Sequence, residues 1–226
     1  MSGPETKGIL LVSVVQDVLR LEQEGRISRA DLLAELGPDA RKLVEAGTVS
    51  VVSWYPPDVY RDLARVLMRI EGRGPRDMAY LWRRGEKAGK RLVESGLYQQ
   101  IDYMKRSGEA WRTQRVPKED FERGVRLIAS MQAALTRGSV WTVEHDPDHP
   151  DRIMIMWDRV TGLSEESAQA TGGILTGITS QGGAPFAWIY ERPSRDRILY
   201  RMDRDISALR AGVELGAKRQ ASPRTP

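Results

Sequence analysis

The sequence predicts an α+β fold: a helical N-terminal portion followed by an antiparallel sheet made from two hairpins, with a glycine-rich helix between them. Three observations predict it. Up to Gly138 the apolar residues recur at helical spacing, in segments punctuated by Gly and Pro. Beyond Gly138 the period shortens, and two pairs of β-branched and aromatic runs, SVWTVE with RIMIMW and PFAWIY with RILYRM, flank clusters of turn residues. Between the two pairs lies GLSEESAQATGGILTGITSQGG, where small residues recur along one helical side.

The helical segments follow in order. Residues 9–23 carry Leu11, Val14, Val15, Val18 and Leu19 on one side, and Gly25 ends the run. Ser28 is placed to cap a second helix over 29–36 with Leu32, Leu33 and Leu36 apolar; Gly37 stops it, and Pro38 opens a short third helix. Thr48 to Val52 is β-branched and predicts extended backbone, to which Pro56 also biases Tyr55. Two prolines then open a helix over 57–70 with Val59, Leu63, Val66, Leu67 and Ile70 in period. Residues 76–94 form the next, where Gly85 and Gly89 share one face. Each glycine costs a helix roughly 1 kcal/mol, so the pair predicts close approach of another backbone. A shorter helix over Leu97 to Lys105, an anchoring Trp111, and a long helix from Pro117 to Leu135 complete this half.

In the second half, Val140, Thr142 and Glu144 fall on one side of the first strand, with Trp141 and Val143 on the other. RIMIMW is apolar on both sides, which predicts cover on both faces or a cavity. Ser164, Ser167, Glu165 and Glu166 mark the start of a helix over 165–179, along which Ala168, Gly172, Gly173 and Gly177 permit close contact with a sheet or ligand. Strands over 186–191 and 197–202 close the fold, with Phe186, Trp188 and Tyr190 on one side. The domain is expected to span 1–209, with a flexible tail over 210–226.

Little in the composition points to chemistry. With no cysteine there is no thiolate nucleophile, disulfide or cysteine-held metal centre. Both histidines, His145 and His149, lie in EHDPDHPD between two strands, where they predict an exposed acidic turn rather than a metal or catalytic site. No nucleophile elbow, phosphate loop or calcium loop is present, so no catalytic residue, metal ligand or cofactor is assigned. The net charge of +4 comes from 35 basic and 31 acidic side chains. The densest basic group, Arg83, Arg84, Lys87, Lys90 and Arg91, is diluted by Glu86 and reads as a solvated helical face, which argues against nucleic acid. The short apolar N-terminal run predicts neither a signal peptide nor a membrane insertion, and a cytoplasmic location is expected.

KGILLVS, WYPPDVYRDLARVL and LWRRGEKAG, with the hairpin, glycine-rich helix and second hairpin, resemble an uncharacterised family abundant in myxobacteria, a domain of unknown function. More remotely, the order of elements is similar to the haem nitric-oxide-binding fold and the vinyl-reductase-like ligand-binding fold. That similarity implies a pocket between helices and a curved sheet. It does not carry over a haem, because neither histidine stands on a predicted helix, nor a cysteine-rich site. The expectation is therefore a noncatalytic signalling or regulatory domain, binding a small apolar or aromatic ligand, a protein partner or a second copy of itself. The alternatives are a scaffold without ligand and, behind that, an enzyme of unassigned reaction. Trp54, Tyr55, Trp157, Gly172, Trp188 and Tyr190 are the candidate ligand-binding residues.

Overall fold

The computed structural model describes residues 3–94, 118–181 and 187–206. The chain starts with strand β1 (Glu5–Lys7) and a single 3₁₀ turn (Gly8–Leu10), then enters α1 (Val12–Gln23), which buries Val14, Val15, Val18 and Leu21. Helix α2 (Arg29–Glu35) is capped by Ser28, whose Oγ accepts from the Asp31 N–H at 3.1 Å. Pro38 opens α3 (Pro38–Ala46), and Gly47, at φ 67°, ends it in the left-handed conformation that glycine adopts without strain. After β2 (Trp54–Tyr55), α4 (Pro57–Glu71) buries Val59, Leu63, Val66 and Leu67 against α1 and α3. These residues form a first core.

Helix α5 (Met78–Glu94) turns Leu81 toward Ala64 and Met68 of α4. Next come α6 (Lys118–Ala133), β3 (Thr136–Arg137), β4 (Val140–His145), β5 (Ile153–Asp158), α7 (Glu165–Gln181), β6 (Trp188–Ser194) and β7 (Arg197–Met202). The last four strands make an antiparallel sheet in the order β4-β5-β7-β6. Its inner face, with Val143, Ile155, Trp157, Tyr200, Met202 and Trp188, meets Phe121, Val125 and Ile128 of α6 and Leu175 and Ile178 of α7 in a second core. The α+β architecture, with two hairpins around a glycine-rich helix, is as the sequence predicts. Among the described residues no helix is long and apolar enough to cross a membrane.

Several expectations change. The first helix begins at Val12 rather than residue 9, because Gly8–Leu10 form a 3₁₀ turn that leads out of β1, the central strand of a three-stranded antiparallel sheet, β2-β1-β3. The run from Thr48 to Val52 is not a strand: only Thr6 and Lys7 of β1 offer pairing there, and they take Tyr55 and Trp54. β-propensity does not create a partner strand. The hairpin turn is not wholly exposed either. His145, His149 and Asp148 face solvent, but Asp146 is 1% exposed, held by Arg201 Nη1 at 2.6 Å and by the Asp148 N–H at 3.0 Å. The expected helix over 97–105, Trp111, Pro117, Phe186 and the tail over 210–226 lie outside the described residues.

Candidate functional site

The six candidate ligand-binding residues fall into two groups, one on the three-stranded sheet and one on the four-stranded sheet and α7. Trp54 and Tyr55 pair with β1. Tyr55 packs on the first core, and its hydroxyl accepts from the Ser50 N–H at 3.2 Å. Lys7 and Arg137 lie over the Trp54 ring, at 5.6 and 5.2 Å from its centroid. Trp157, Gly172, Trp188 and Tyr190 belong to the second core or pack against it.

In that second group the strand register sets each position. Trp157 stands opposite Trp141 across β4 and β5, and the two indoles stack with centroids 4.4 Å apart. Trp141 Nε1 donates to Thr136 Oγ1 at 2.9 Å, whereas the buried Nε1 of Trp157 has no hydrogen-bond partner among the described residues. Thr176 Oγ1 on α7 is likewise buried without one. Trp188 is anchored by Thr179 Oγ1 at 3.3 Å. Tyr200, cross-strand neighbour of Tyr190, donates to the Ala168 carbonyl of α7 at 2.8 Å. Burial raises its phenol well above the ordinary tyrosine range.

Gly172 acts by its lack of a side chain. A Cβ there would collide with the ring of Trp82 and come within 3.0 Å of Tyr200. The neighbouring glycines interlock two helices: a Cβ on Gly85 or Gly89 of α5 would strike the carbonyl of Ala170 or Ile174, and one on Gly173 or Gly177 of α7 would strike that of Trp82 or Glu86. The expected close approach is thus α5 against α7, glycine face to glycine face. Trp82 and Tyr200 were not among the sequence candidates. The available signal for Trp82 was its spacing of three and seven residues ahead of Gly85 and Gly89, which puts it on the same helical stripe.

Near this packing an open cleft of about 790 Å³ lies between α4, the start of α5 and the N-terminus of α7. Arg61, Arg65, Arg76 and Met78 line one part, and Ser164, Glu165 and Glu166 another. Ser164 Oγ accepts from the Ser167 N–H at 3.2 Å, capping α7 as its sequence predicts. Glu166 is buried and receives Arg65 Nε at 2.7 Å. Glu165 accepts from the Tyr190 hydroxyl at 2.7 Å and from Arg192 at 3.4 Å, so the cleft is tied directly to the edge strand β6. Burial, and then the bonded Glu165 carboxylate, raise the Tyr190 phenol. The third carboxylate near this helix start, Asp158, pairs with Arg197 at 2.5 Å.

A histidine-ligated haem needs an imidazole directed into the interior. The chain's two histidines both stand at the β4-β5 hairpin and are exposed, and His145 Nε2 lies 3.5 Å from Glu122. The residues present therefore do not fit a histidine-ligated haem. Among the described residues no group of three or more His, Cys, Asp or Glu side chains converges as a metal site. The basic stripe is also partly neutralised: Arg84 turns to Asp17, and Lys90 meets Glu86 at 2.6 Å.

No family model and no curated protein matches the chain, so these comparisons lend no support to the resemblance with the uncharacterised myxobacterial family. Solved structures do match. The crystal structure of the Fe(II) unliganded H-NOX protein from K. algicida is 10% identical, with 88% of this chain and 98% of that one covered, at a TM-score of 0.51. An alanine-to-glycine mutant of the same protein is 11% identical over 89% and 99% of the two chains, at 0.52. At such identity the likeness is one of fold, and this chain is similar in fold to an H-NOX protein.

Proposed function

We propose that this chain is a noncatalytic regulatory domain, a single α+β unit that binds a small, largely apolar or aromatic molecule against the inner face of its four-stranded sheet. Binding would be read out through a protein partner or a second copy. The observation that carries the reading is the buried indole N–H of Trp157, which has no hydrogen-bond partner among the described residues. Leaving such a donor unsatisfied costs roughly 1–3 kcal/mol, and an acceptor atom on an aromatic or apolar ligand relieves that cost. The likeness of fold to an Fe(II) H-NOX protein supports a ligand-binding reading, while the exposed histidines separate this chain from a histidine-ligated haem. The noncatalytic reading is supported by the carboxylates of the cleft, which are engaged by Arg65, Tyr190 and Arg192.

Mild purification, denaturing extraction and mass spectrometry test the proposal. The expected result is a compound retained in stoichiometric amount, with its retention reduced by Trp157→Phe, which keeps the ring and removes the donor. No retained compound, together with no thermal shift across a chemically broad metabolite panel, would favour the scaffold reading instead.

A further inference from the structure

We propose that the open cleft between α4, the start of α5 and the start of α7 binds a small zwitterion of the amino-acid type, a carboxylate and an ammonium carried on an apolar frame. This goes beyond the ligand proposed for the inner face of the sheet, since neither Trp157, Trp188 nor Tyr190 lines the cleft. Its volume of about 790 Å³ falls among small-molecule sites, which span roughly 300–1,000 Å³. It brings both charges together, with Arg61, Arg65 and Arg76 lining the same space as Glu165 and Glu166.

Not all of these charges are used up within the fold. Arg61 is held by Asp58 and Asp62. Arg65 gives only its Nε to Glu166, at 2.7 Å, and its two terminal nitrogens have no partner among the described residues. Arg76 is exposed, and its guanidinium makes no hydrogen bond or ion pair among the described residues. Glu165 receives both the Tyr190 hydroxyl and Arg192 on Oε2, which leaves Oε1 without a partner among the described residues. Unused donors and an unused acceptor therefore share one cleft. A simple anion there would meet two carboxylates as well as the arginines, and a simple cation would meet three arginines. A molecule with both charges meets each with its opposite. The terminal nitrogens of a guanidinium match the planar fork of a carboxylate, and a carboxylate oxygen suits an ammonium. Pro75, Met78 and the aliphatic stems of the arginines supply apolar contact for the frame. Ser164 already caps α7, so recognition falls to these side chains. Glu166 fixes Arg65, and Tyr190 with Arg192 fixes Glu165, so little freedom is lost when the ligand enters.

Isothermal titration calorimetry at neutral pH tests this with L-leucine, L-methionine and L-phenylalanine. Each is set against its analogue without the ammonium and its analogue without the carboxylate; for leucine these are 4-methylpentanoate and 3-methylbutylamine. At least one of the three amino acids should bind, and both of its analogues should bind roughly ten-fold more weakly or worse, the effect of one lost charged hydrogen bond. Arg76→Ala should weaken the amino acid roughly ten-fold, and Glu165→Gln roughly five-fold, the latter without weakening the ammonium-free analogue. Trp157→Phe should leave the binding unchanged. Circular dichroism should show the variants folded; Arg76→Ala, which removes no bond of the fold, decides alone if Glu165→Gln loses helix. The proposal is overturned if none of the three amino acids binds at millimolar concentration, if the ammonium-free analogue binds as tightly as the amino acid, or if Arg76→Ala binds as the wild type does. Binding that Trp157→Phe abolishes also overturns it, and would assign the amino acid to the sheet instead.

Discussion

Asp146 shows how one carboxylate converts a polar turn into a structural joint. Burial works to raise its pKa, but the Arg201 hydrogen bond, the Asp148 N–H and the charge of Arg201 outweigh burial and hold it below the ordinary carboxylate range. A depressed folded-state pKa contributes stability that is present at neutral pH and lost as pH falls through the carboxylate range below about 4. Asp146→Asn should cost about 1–3 kcal/mol at pH 7, since Arg201 retains Glu191 and Asp148 as partners. The gap in melting temperature between wild type and variant should close toward pH 3; an undiminished gap there would refute the linkage. Tyr60 acts at the other end of the scale. Burial pushes its phenol up to about 12, so its contribution is intact below pH 10 and declines between about 10 and 12, where the unfolded chain ionises first. Tyr60→Phe should flatten the alkaline fall of the melting curve, and an identical slope in both proteins would count against it.

At the scale of elements, one substitution should have opposite signs on two helices. Gly89 of α5 lies against α7, where a Cβ meets the rigid backbone at Ile174. Gly89→Ala should force the helices apart and destabilise the fold by about 1–3 kcal/mol, more than the gain in helix propensity returns. Gly124 of α6 has nothing within 4 Å of its ideal Cβ. Gly124→Ala should therefore stabilise the protein by about 0.5–1 kcal/mol. Denaturant midpoints of the two variants decide the matter, and stabilisation by both would mean that the α5-α7 seam is not closely packed in solution. Strand β4 shows another element-level device: as an edge strand it is open to pairing with a foreign strand, and Arg126 Nη1 occupies the Val143 carbonyl at 3.0 Å.

For the whole molecule, the question is how the two cores are joined. Helix α5 touches α4 through Leu81 and α7 through its glycines, so it belongs to both halves. Arg65 of α4 adds a charged link by reaching the buried Glu166 at 2.7 Å. Arg65 is 57% exposed and Glu166 5%, so the loss falls mainly on the carboxylate left unpaired. Arg65→Ala should cost about 1–3 kcal/mol. A double-mutant cycle with Glu166→Gln should yield a coupling well above the few tenths of a kcal/mol of an ordinary surface pair. A coupling near zero would leave the glycine seam as the main join between the halves.

The sequence by itself determined the elements whose signals are local. Pro57 and the period through Leu63 and Leu67 foretold α4, Ser28 marked the cap of α2, and the alternating runs foretold β4, β5 and β7 to within a residue or two. It also indicated that Gly85 and Gly89 face another backbone. Only the tertiary structure decided which backbone that was, because a glycine records the absence of a side chain and says nothing of its neighbour. The same holds for the sheet β2-β1-β3, whose strands of two or three residues are too short for any period and pair Glu5 with Arg137, 132 positions apart. Tertiary structure also separated Trp54 and Tyr55 from Trp157, Trp188 and Tyr190, buried Asp146 within a turn rich in charge, and left Val51 and Val52 in solvent. Helix caps and strand periods lie within a few bonds of the residues that specify them, whereas burial depends on what a distant segment brings to the same place.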